Sequence, residues 1–547
     1  MRYMLTLTGV QDEITVQINI EVYYKMMFIM NADYVDICRK SDFQAFTDLY
    51  ESKLTYQWNS INWEEVTRHI FDLQVQIFHA VKESGDYRTA RRLEDLLIRS
   101  DATLLYAIKR VTQINTGKRT AGVDKMLIST EATRMALFYK LTGIDINSMN
   151  VSPVRRTFIS KSNGKRRPLG IPTIVDRVVQ TVVKVALEPR FEAVFEPCSY
   201  GFRPMRSAGH AIARIHNSTC RHGRQWIFEG DFKSCFDTLD HDWIIKQLGN
   251  FPAKKIIRSW LEAGYVYNNV FEDTRRGTPQ GGVISPLLAN IALHGLEEAL
   301  DVTYKQNIDG YYSNTSRYVV VRYADDFVVL CRTKSDAERV YKLIKPYLEE
   351  RGLQLAPDKT SITHIEDGFD FLGFNIRSYQ TQTEPKVLTK PSDDSLRNFK
   401  TDIRKVFIEN RGSNVTGMIE RANSIIDGVG NYWKQTSAKE TFTKADYYVW
   451  TLIVRYLKRS HPNKSWKWIR NKYFQEDCHN EHNDNYILTD PTNHKRQLIK
   501  MSWKHIEYAE MIKHDCTPYD KRYWNYIENK RNAKAFDILY RKDIEAL

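Results

Sequence analysis

The chain has 547 residues, 42% hydrophobic and 27% charged, enough apolar material to fill several cores, and this excludes global disorder. Lysine and arginine number 80 against 67 acidic residues, and the +13 balance fits either a polyanionic partner, nucleic acid first, or a merely basic protein. No stretch approaches the roughly 18 uncharged apolar residues of a membrane span, no secretory signal is read at the start, and seven scattered cysteines without a C-x-x-C pair argue against a disulfide scaffold or a zinc ribbon.

Residues 14–20 alternate apolar and polar like a strand, and residues 22–30 form an apolar-aromatic patch without an assigned role. At Asn62-x-x-Glu65 the pattern of a helix start appears. Val66, Ile70, Phe71, Val75, Phe78 and Val81 then recur at helical spacing. Further helices are predicted over 87–98 and 102–112, followed by a loop at 117–123. Residues 155–170 hold six basic side chains and no acid, and the turn Ser162-Asn163-Gly164 between apolar flanks predicts a basic β-hairpin. A helix follows at 176–191. From 225 to 376 short apolar strands alternate with helices, which indicates an α/β or α+β core. Residues 392–456 return to helical spacing. One stripe is Leu396, Phe399, Ile403 and Val406. A second is Val415, Met418, Ile419, Ala422 and Ile426, and Gly428 and Gly430 are expected to end it.

Tyr323-Ala324-Asp325-Asp326 lies between two apolar runs that read as paired strands joined at the aspartates. Adjacent like charges are costly there unless a cation sits between them, although aspartates also occur at ordinary surface turns. Upstream, residues 227–231 form an apolar strand ending in Asp231. Three carboxylates suit two Mg²⁺ ions about 4 Å apart, the arrangement of nucleotidyl transfer. Between these acids, residues 275–286 (RRGTPQGGVISP) enter a helix. This glycine-rich segment reads either as a support for a nucleotide and its template base or as a plain loop-to-helix junction.

The ordered segments resemble a group II intron-encoded reverse transcriptase and maturase. They are 159–180 (ISKSNGKRRPLGIPTIVDRVVQ), 199–206 (SYGFRPMR), 230–241 (GDFKSCFDTLDH), 276–293 (RGTPQGGVISPLLANIAL), 322–327 (RYADDF), 352–363 (GLQLAPDKTSIT) and 369–374 (FDFLGF). The resemblance implies an α+β right-hand polymerase. Its parts are an N-terminal segment without a role (1–58), a helical extension (59–150), fingers and palm (151–390), a helical thumb and maturase region (391–475) and a basic DNA-binding region (476–547). It implies metal-binding catalytic roles for Asp231, Asp325 and Asp326. Phe236 matches the gate that excludes a ribose 2′-hydroxyl. Arg155, Lys161 and Arg167 match groups that grip the dNTP triphosphate. Gln280 matches the support of the templating pair, and Lys359 a proton donor to pyrophosphate.

Residues 451–475 contain seven lysines or arginines and no acid, interleaved with Trp466, Trp468, Tyr473 and Phe474. Such a stretch binds phosphates and stacks on bases, or is a helix with a solvated basic face and a buried aromatic one. Its RNA- or DNA-contacting candidates are Arg455, Lys458, Arg459, Lys464, Lys467 and Arg470. Cys478, His479, His482, His514 and Cys516 fit no standard zinc spacing. Many relatives carry a C-terminal HNH endonuclease, and this chain ends about where that domain would start, so it is not expected to cut a second target strand. The implied partners are group II intron RNA, a DNA target and primer, and an RNA–DNA duplex, with no membrane and a homodimer left open. The implied activity is intron splicing assistance and reverse transcription during target-primed retrohoming, in the cytoplasm or nucleoid of a prokaryote, an organelle being left open. Two readings compete: the same enzyme used in host defence or repair, and a non-catalytic splicing cofactor.

Overall fold

Asn62 accepts the amide of Glu65 through its side chain, and the helix Trp63–Ser84 begins there. The computed structural model describes residues 40–545 except 161–165, 221–222, 269, 275, 279–280, 309–311, 383, 413–414 and 480. The expected strand at 14–20 and the patch at 22–30 lie outside the described residues. The predicted apolar stripe of the Trp63–Ser84 helix is buried along its length. The helices Tyr87–Arg99 and Asp101–Lys109 follow, and the second continues into a π-turn, Arg110–Ile114, rather than running regularly to 112. Residues 117–123 form the expected loop, opened by the 3₁₀ turn Thr116–Arg119. Ahead of all these, the helices Lys40–Leu49 and Glu51–Asn59 bring Leu54 and Trp58 into the same core. The Trp58 and Trp63 rings lie 5.0 Å apart there.

The basic hairpin forms as predicted. Val154–Ser160 pairs antiparallel with Arg166–Ile171, and Arg155 stands opposite Ile171. Two short strands, Tyr265–Tyr267 and Val270–Glu272, extend this sheet. The helix Ile174–Glu192 that follows is capped by the Thr173 hydroxyl and packs against the N-terminal helices.

A second four-stranded sheet is antiparallel throughout, in the order Ser361–His364, Trp226–Asp231, Asp326–Cys331, Val319–Tyr323. Both of its faces are covered. Phe228, Val320 and Val329 join the core that contains the N-terminal helices. Ile227, Val319, Val321, Val328 and Leu330 join a second core with the helices that follow the sheet. Strands buried on both faces read as continuous apolar runs, which is how VVV and FVVLC stand in the sequence.

The second core is completed by a three-stranded antiparallel sheet (Phe369–Phe371, Phe374–Tyr379, Lys386–Pro391) and by the helices Asp393–Glu409, Val415–Trp433 and Lys439–Ser460. The expected stop at Gly428 and Gly430 does not occur, and the Val415–Trp433 helix runs through both glycines. A Cβ at Gly430 would lie 2.6 Å from Lys504 Cε, so the glycine there admits a neighbouring side chain instead of ending the helix.

After the short strands Ile487–Asp490 and Asn493–Gln497, the chain turns back to the N-terminal helices. Phe71 is surrounded by the rings of Trp524, Phe536 and Tyr540. Tyr540 donates to Gln74 Oε1 at 2.6 Å, and Asp543 accepts from Tyr106 at 3.0 Å and pairs with Arg110. The C-terminal aromatics therefore close the first core. The whole is an α+β fold.

Candidate active site

Asp231 ends its strand directly opposite Asp326, the first residue of the neighbouring strand. Gly230 precedes it because it stands opposite Phe327, and a Cβ there would enter the Phe327 ring at 2.1 Å. Asp325 sits in the two-residue loop joining the strands, after Ala324 at φ 57°. A positive φ at the first loop residue is what a II′ hairpin turn requires, and glycine usually fills it. The fold thus brings Asp231, Asp325 and Asp326 to one sheet edge. Burial, then the charges of Asp325 and Asp231, push the Asp326 carboxyl up to about 6. The Asp326 residue is exposed to solvent at the strand end, so the like charges are the cause that carries weight. Lys359 donates to Asp231 Oδ2 at 2.7 Å, which raises the lysine's own pKa.

Among the described residues no three His, Cys, Asp or Glu side chains converge on one point at ligating distance. The aspartates share one sheet edge, and Asp231 takes its countercharge from Lys359. All-carboxylate chemistry and the repulsion felt at Asp326 both fit hard divalent cations. The zinc candidates fall in two places. His482 stacks on Trp503, and His514 lies between Tyr304 and Tyr312.

The catalytic turn is held from behind by residues that sequence reasoning did not single out. Arg322 is buried, 1% exposed. It donates to Asn290 Oδ1 at 3.1 Å, to the Ala324 carbonyl at 3.0 Å and to Ser199 Oγ at 2.8 Å. Asn290 in turn donates to the Gly201 carbonyl at 2.8 Å. A Cβ at Gly201 would lie 2.5 Å from the Ala324 amide nitrogen, so the SYGF turn packs face-on against the aspartate turn. The available signal was that both segments, 199–206 and 322–327, stood among the matched motifs.

Phe236 is buried on the short helix Cys235–Thr238. Its carbonyl accepts from the Thr278 amide at 2.6 Å, and the Gly277 amide donates to Leu239. At Gly277 (φ 85°) a Cβ would collide with the Phe236 carbonyl, and at Gly281 (φ 115°) with the Gly170 carbonyl. The glycine-rich loop therefore bridges the Phe236 turn and the basic hairpin before the helix Ser285–Ala292 begins. Arg167 comes from that hairpin, and its charge reaches both Asp326 and Asp237. Arg155 directs Nε and Nη2 to the Ala121 carbonyl, at 3.1 and 2.9 Å, and so ties the 117–123 loop to the hairpin. Lys161 and Gln280 lie outside the described residues.

Arg455, Lys458, Arg459, Lys464, Lys467 and Arg470 are all exposed, while Ile469, Tyr473 and Phe474 beneath them are buried. Trp468 stays 36% exposed, flanked by Lys464 and Lys472 at 5.3 and 4.9 Å from its ring. This face combines cations with one accessible ring. No helix among the described residues is long and apolar enough to cross a membrane.

Three family profiles match the chain in order: the N-terminal domain of reverse transcriptase (58–141), reverse transcriptase (RNA-dependent DNA polymerase) (159–376), and the group II intron maturase-specific domain (396–474). Protein YkfC of Escherichia coli K12 is 35% identical, over 54% of this chain and 86% of its own. The group II intron-encoded protein LtrA of Lactococcus lactis is 30% identical, over 56% of this chain and 64% of its own. A 91 kDa protein in the cob intron of Schizosaccharomyces pombe is 28% identical, over 65% of this chain and 52% of its own.

Proposed function

The chain belongs to the group II intron-encoded reverse transcriptase and maturase family, with a right-hand polymerase fold, and on that footing we propose that it copies RNA into DNA and assists the splicing of a group II intron RNA. The observation that carries the polymerase reading is Asp231 facing Asp326, with Asp325 in the adjoining loop. The family uses divalent metal ions. Here Asp231, Asp325 and Asp326 would hold two Mg²⁺ ions, and the chemistry these would supply is positive charge favouring ionisation of the primer 3′-hydroxyl and departure of pyrophosphate.

The remaining roles belong to the chain's own side chains. Arg167, with Lys161 and Arg155, grips the triphosphate from the hairpin. Phe236 closes the space that a ribose 2′-hydroxyl would need. The loop bearing Gln280 supports the templating pair, and Lys359 supplies a proton to pyrophosphate. The exposed row from Arg455 to Arg470 meets RNA phosphates, and Trp468 offers a stacking face. In the cell this chemistry serves target-primed copying of the intron into DNA, with the RNA–DNA duplex held in the cleft.

The test is primer extension on an RNA template with Mg²⁺ and dNTPs, beside the Asp325→Asn/Asp326→Asn double variant. Extension by the wild type and none by the variant supports the reading. Tight binding of intron RNA without extension would replace it with a splicing cofactor whose polymerase core is structural. Extension without any preference for intron RNA would favour a host role in defence or repair.

A further inference from the structure

Phe202 carries a large apolar ring in the open, 52% exposed, at the tip of the turn that packs against the aspartate turn. Its φ is 58°, a left-handed conformation that a bulky residue adopts only at a cost. The surrounding turn leaves no way out of it. The Tyr200 amide donates to the Arg322 carbonyl at 2.8 Å, and the Gly201 carbonyl accepts from Asn290. Next to Phe202, the Arg203 guanidinium is buried and makes two bonds to Glu192, at 2.9 and 2.8 Å. The strain is locked in, yet the ring that causes it is not buried in either core. Glycine would meet the backbone requirement freely, so the aromatic side chain at this position needs a use outside the fold.

Its surroundings indicate that use. The Phe202 ring centroid lies 6.5 Å from that of Tyr323, two residues before Asp325. Beyond Tyr323, and close enough for the charge of one phenol to act on the other, stands Tyr432 of the Val415–Trp433 helix. Tyr432 donates to the Leu372 carbonyl at 2.8 Å. The rings therefore run from the aspartate turn toward the thumb helices. The dNTP-side groups come from other elements, Phe236 from the short helix Cys235–Thr238 bonded to the glycine-rich loop and Arg167 from the basic hairpin. We infer that Phe202 is a positioning residue that, with Tyr323, forms an aromatic shelf carrying the terminal nucleotide of the primer strand. Every base and sugar presents an apolar face to such a shelf, so its effect is independent of primer sequence. The inference rests on the polymerase reading above.

The experiment measures steady-state extension of several primers on RNA templates, with separate KM values for primer–template and dNTP, and the thermal midpoint of each protein. The proteins are wild type, Phe202→Tyr, Phe202→Gly and Phe202→Asn. Glycine and asparagine both accept a positive φ. The expected result is a rise of about tenfold in the primer–template KM for both, alike for all primers. Their dNTP KM is unchanged, their midpoints equal or exceed wild type, and Phe202→Tyr behaves as wild type. A primer–template KM unchanged in both variants overturns the inference. A midpoint lowered in both overturns it too, because the ring is then a packing element. A wild type that extends no primer refutes the polymerase reading instead, and the wild-type arm separates the two failures.

Discussion

Lys359 Nζ donates to Asp231 Oδ2 at 2.7 Å, so one of the three acids is matched by a side-chain cation from a loop 128 residues downstream. The lysine is well exposed and its pKa is raised by that bond. It competes for the carboxylate that a divalent ion needs, and under the proposed function it would be the donor that protonates the leaving pyrophosphate. Lys359→Met is expected to lower kcat by about 10²-fold, the usual worth of a positioned general acid. The same change should lower the Mg²⁺ concentration needed for half-maximal extension. A Mg²⁺ titration of extension rates reads both effects, and an unchanged kcat would remove Lys359 from the chemistry.

Phe236 is 7% exposed, its ring belongs to the first core, and its carbonyl independently takes the Thr278 amide. Shortening the side chain leaves that bond in place. Phe236→Val is expected to raise rNTP incorporation relative to dNTP by about tenfold or more, because the hydroxyl no longer meets a ring. The lost apolar volume should cost about 1–3 kcal/mol of stability. Competitive incorporation of rATP against dATP checks the first expectation and urea unfolding the second. Equal discrimination in wild type and variant would place the gate elsewhere.

The central sheet and its acids were legible because both depend on local pattern. Continuous apolar runs mark strands covered on both faces, and Asp231, Asp325 and Asp326 fall at the strand ends. Arg322 was not legible as a brace. An arginine after three valines gives no hint of burial, and its partners Ser199 and Asn290 are 123 and 32 residues away. Gly430 departs from its local pattern for the same reason. A local stop signal was outweighed by the approach of Lys504, 74 residues later, which only the tertiary fold reveals. The basic aromatic C-terminal region suggested a nucleic-acid surface, yet Trp524, Phe536 and Tyr540 are packed around Phe71, a contact across more than 450 residues that composition cannot signal. The exposed row 455–470 differs because its cations, on the end of the Lys439–Ser460 helix, the Trp466–Tyr473 helix and the link between them, are all exposed to solvent.

Glu297 is 4% exposed, and burial raises its carboxyl to about 7, with the Glu196 charge adding to the effect and the Tyr304 hydroxyl bond opposing it. An unfolded glutamate titrates near about 4.3. The folded state therefore binds more protons between those values, so this contribution to stability is complete below about pH 4 and is lost as pH rises through 7. Glu297→Gln keeps an acceptor for Tyr304 and has no charge to bury. Relative to wild type, the variant is expected to match near pH 5 and to gain on the order of 3 kcal/mol by pH 8. Urea midpoints from pH 5 to 8 test this, and a constant difference between the two proteins would refute it.

Lys109 shows the opposite sign. It is 1% exposed, its ammonium has no hydrogen-bond partner, and Nζ lies 4.3 Å from the centre of the Trp63 ring. Burial lowers its pKa to about 8, against the pull of Asp543 from the returning C-terminal helix. The unfolded lysine titrates near about 10.4. Between those values the unfolded chain binds more protons, so stability rises with pH across that window, and below it the folded state carries the full penalty of a buried charge. Lys109→Met fills nearly the same volume without the charge. The variant is expected to be more stable than wild type at pH 7, by up to about 3 kcal/mol, with the advantage shrinking between pH 8 and 10. Measuring Asp543→Asn beside it separates the two electrostatic contributions. Removing the carboxylate lowers the lysine pKa further and destabilises the protein at pH 7, through Arg110 as well as Lys109. A Lys109→Met chain less stable than wild type at pH 7 would mean that the cation over Trp63 outweighs its desolvation.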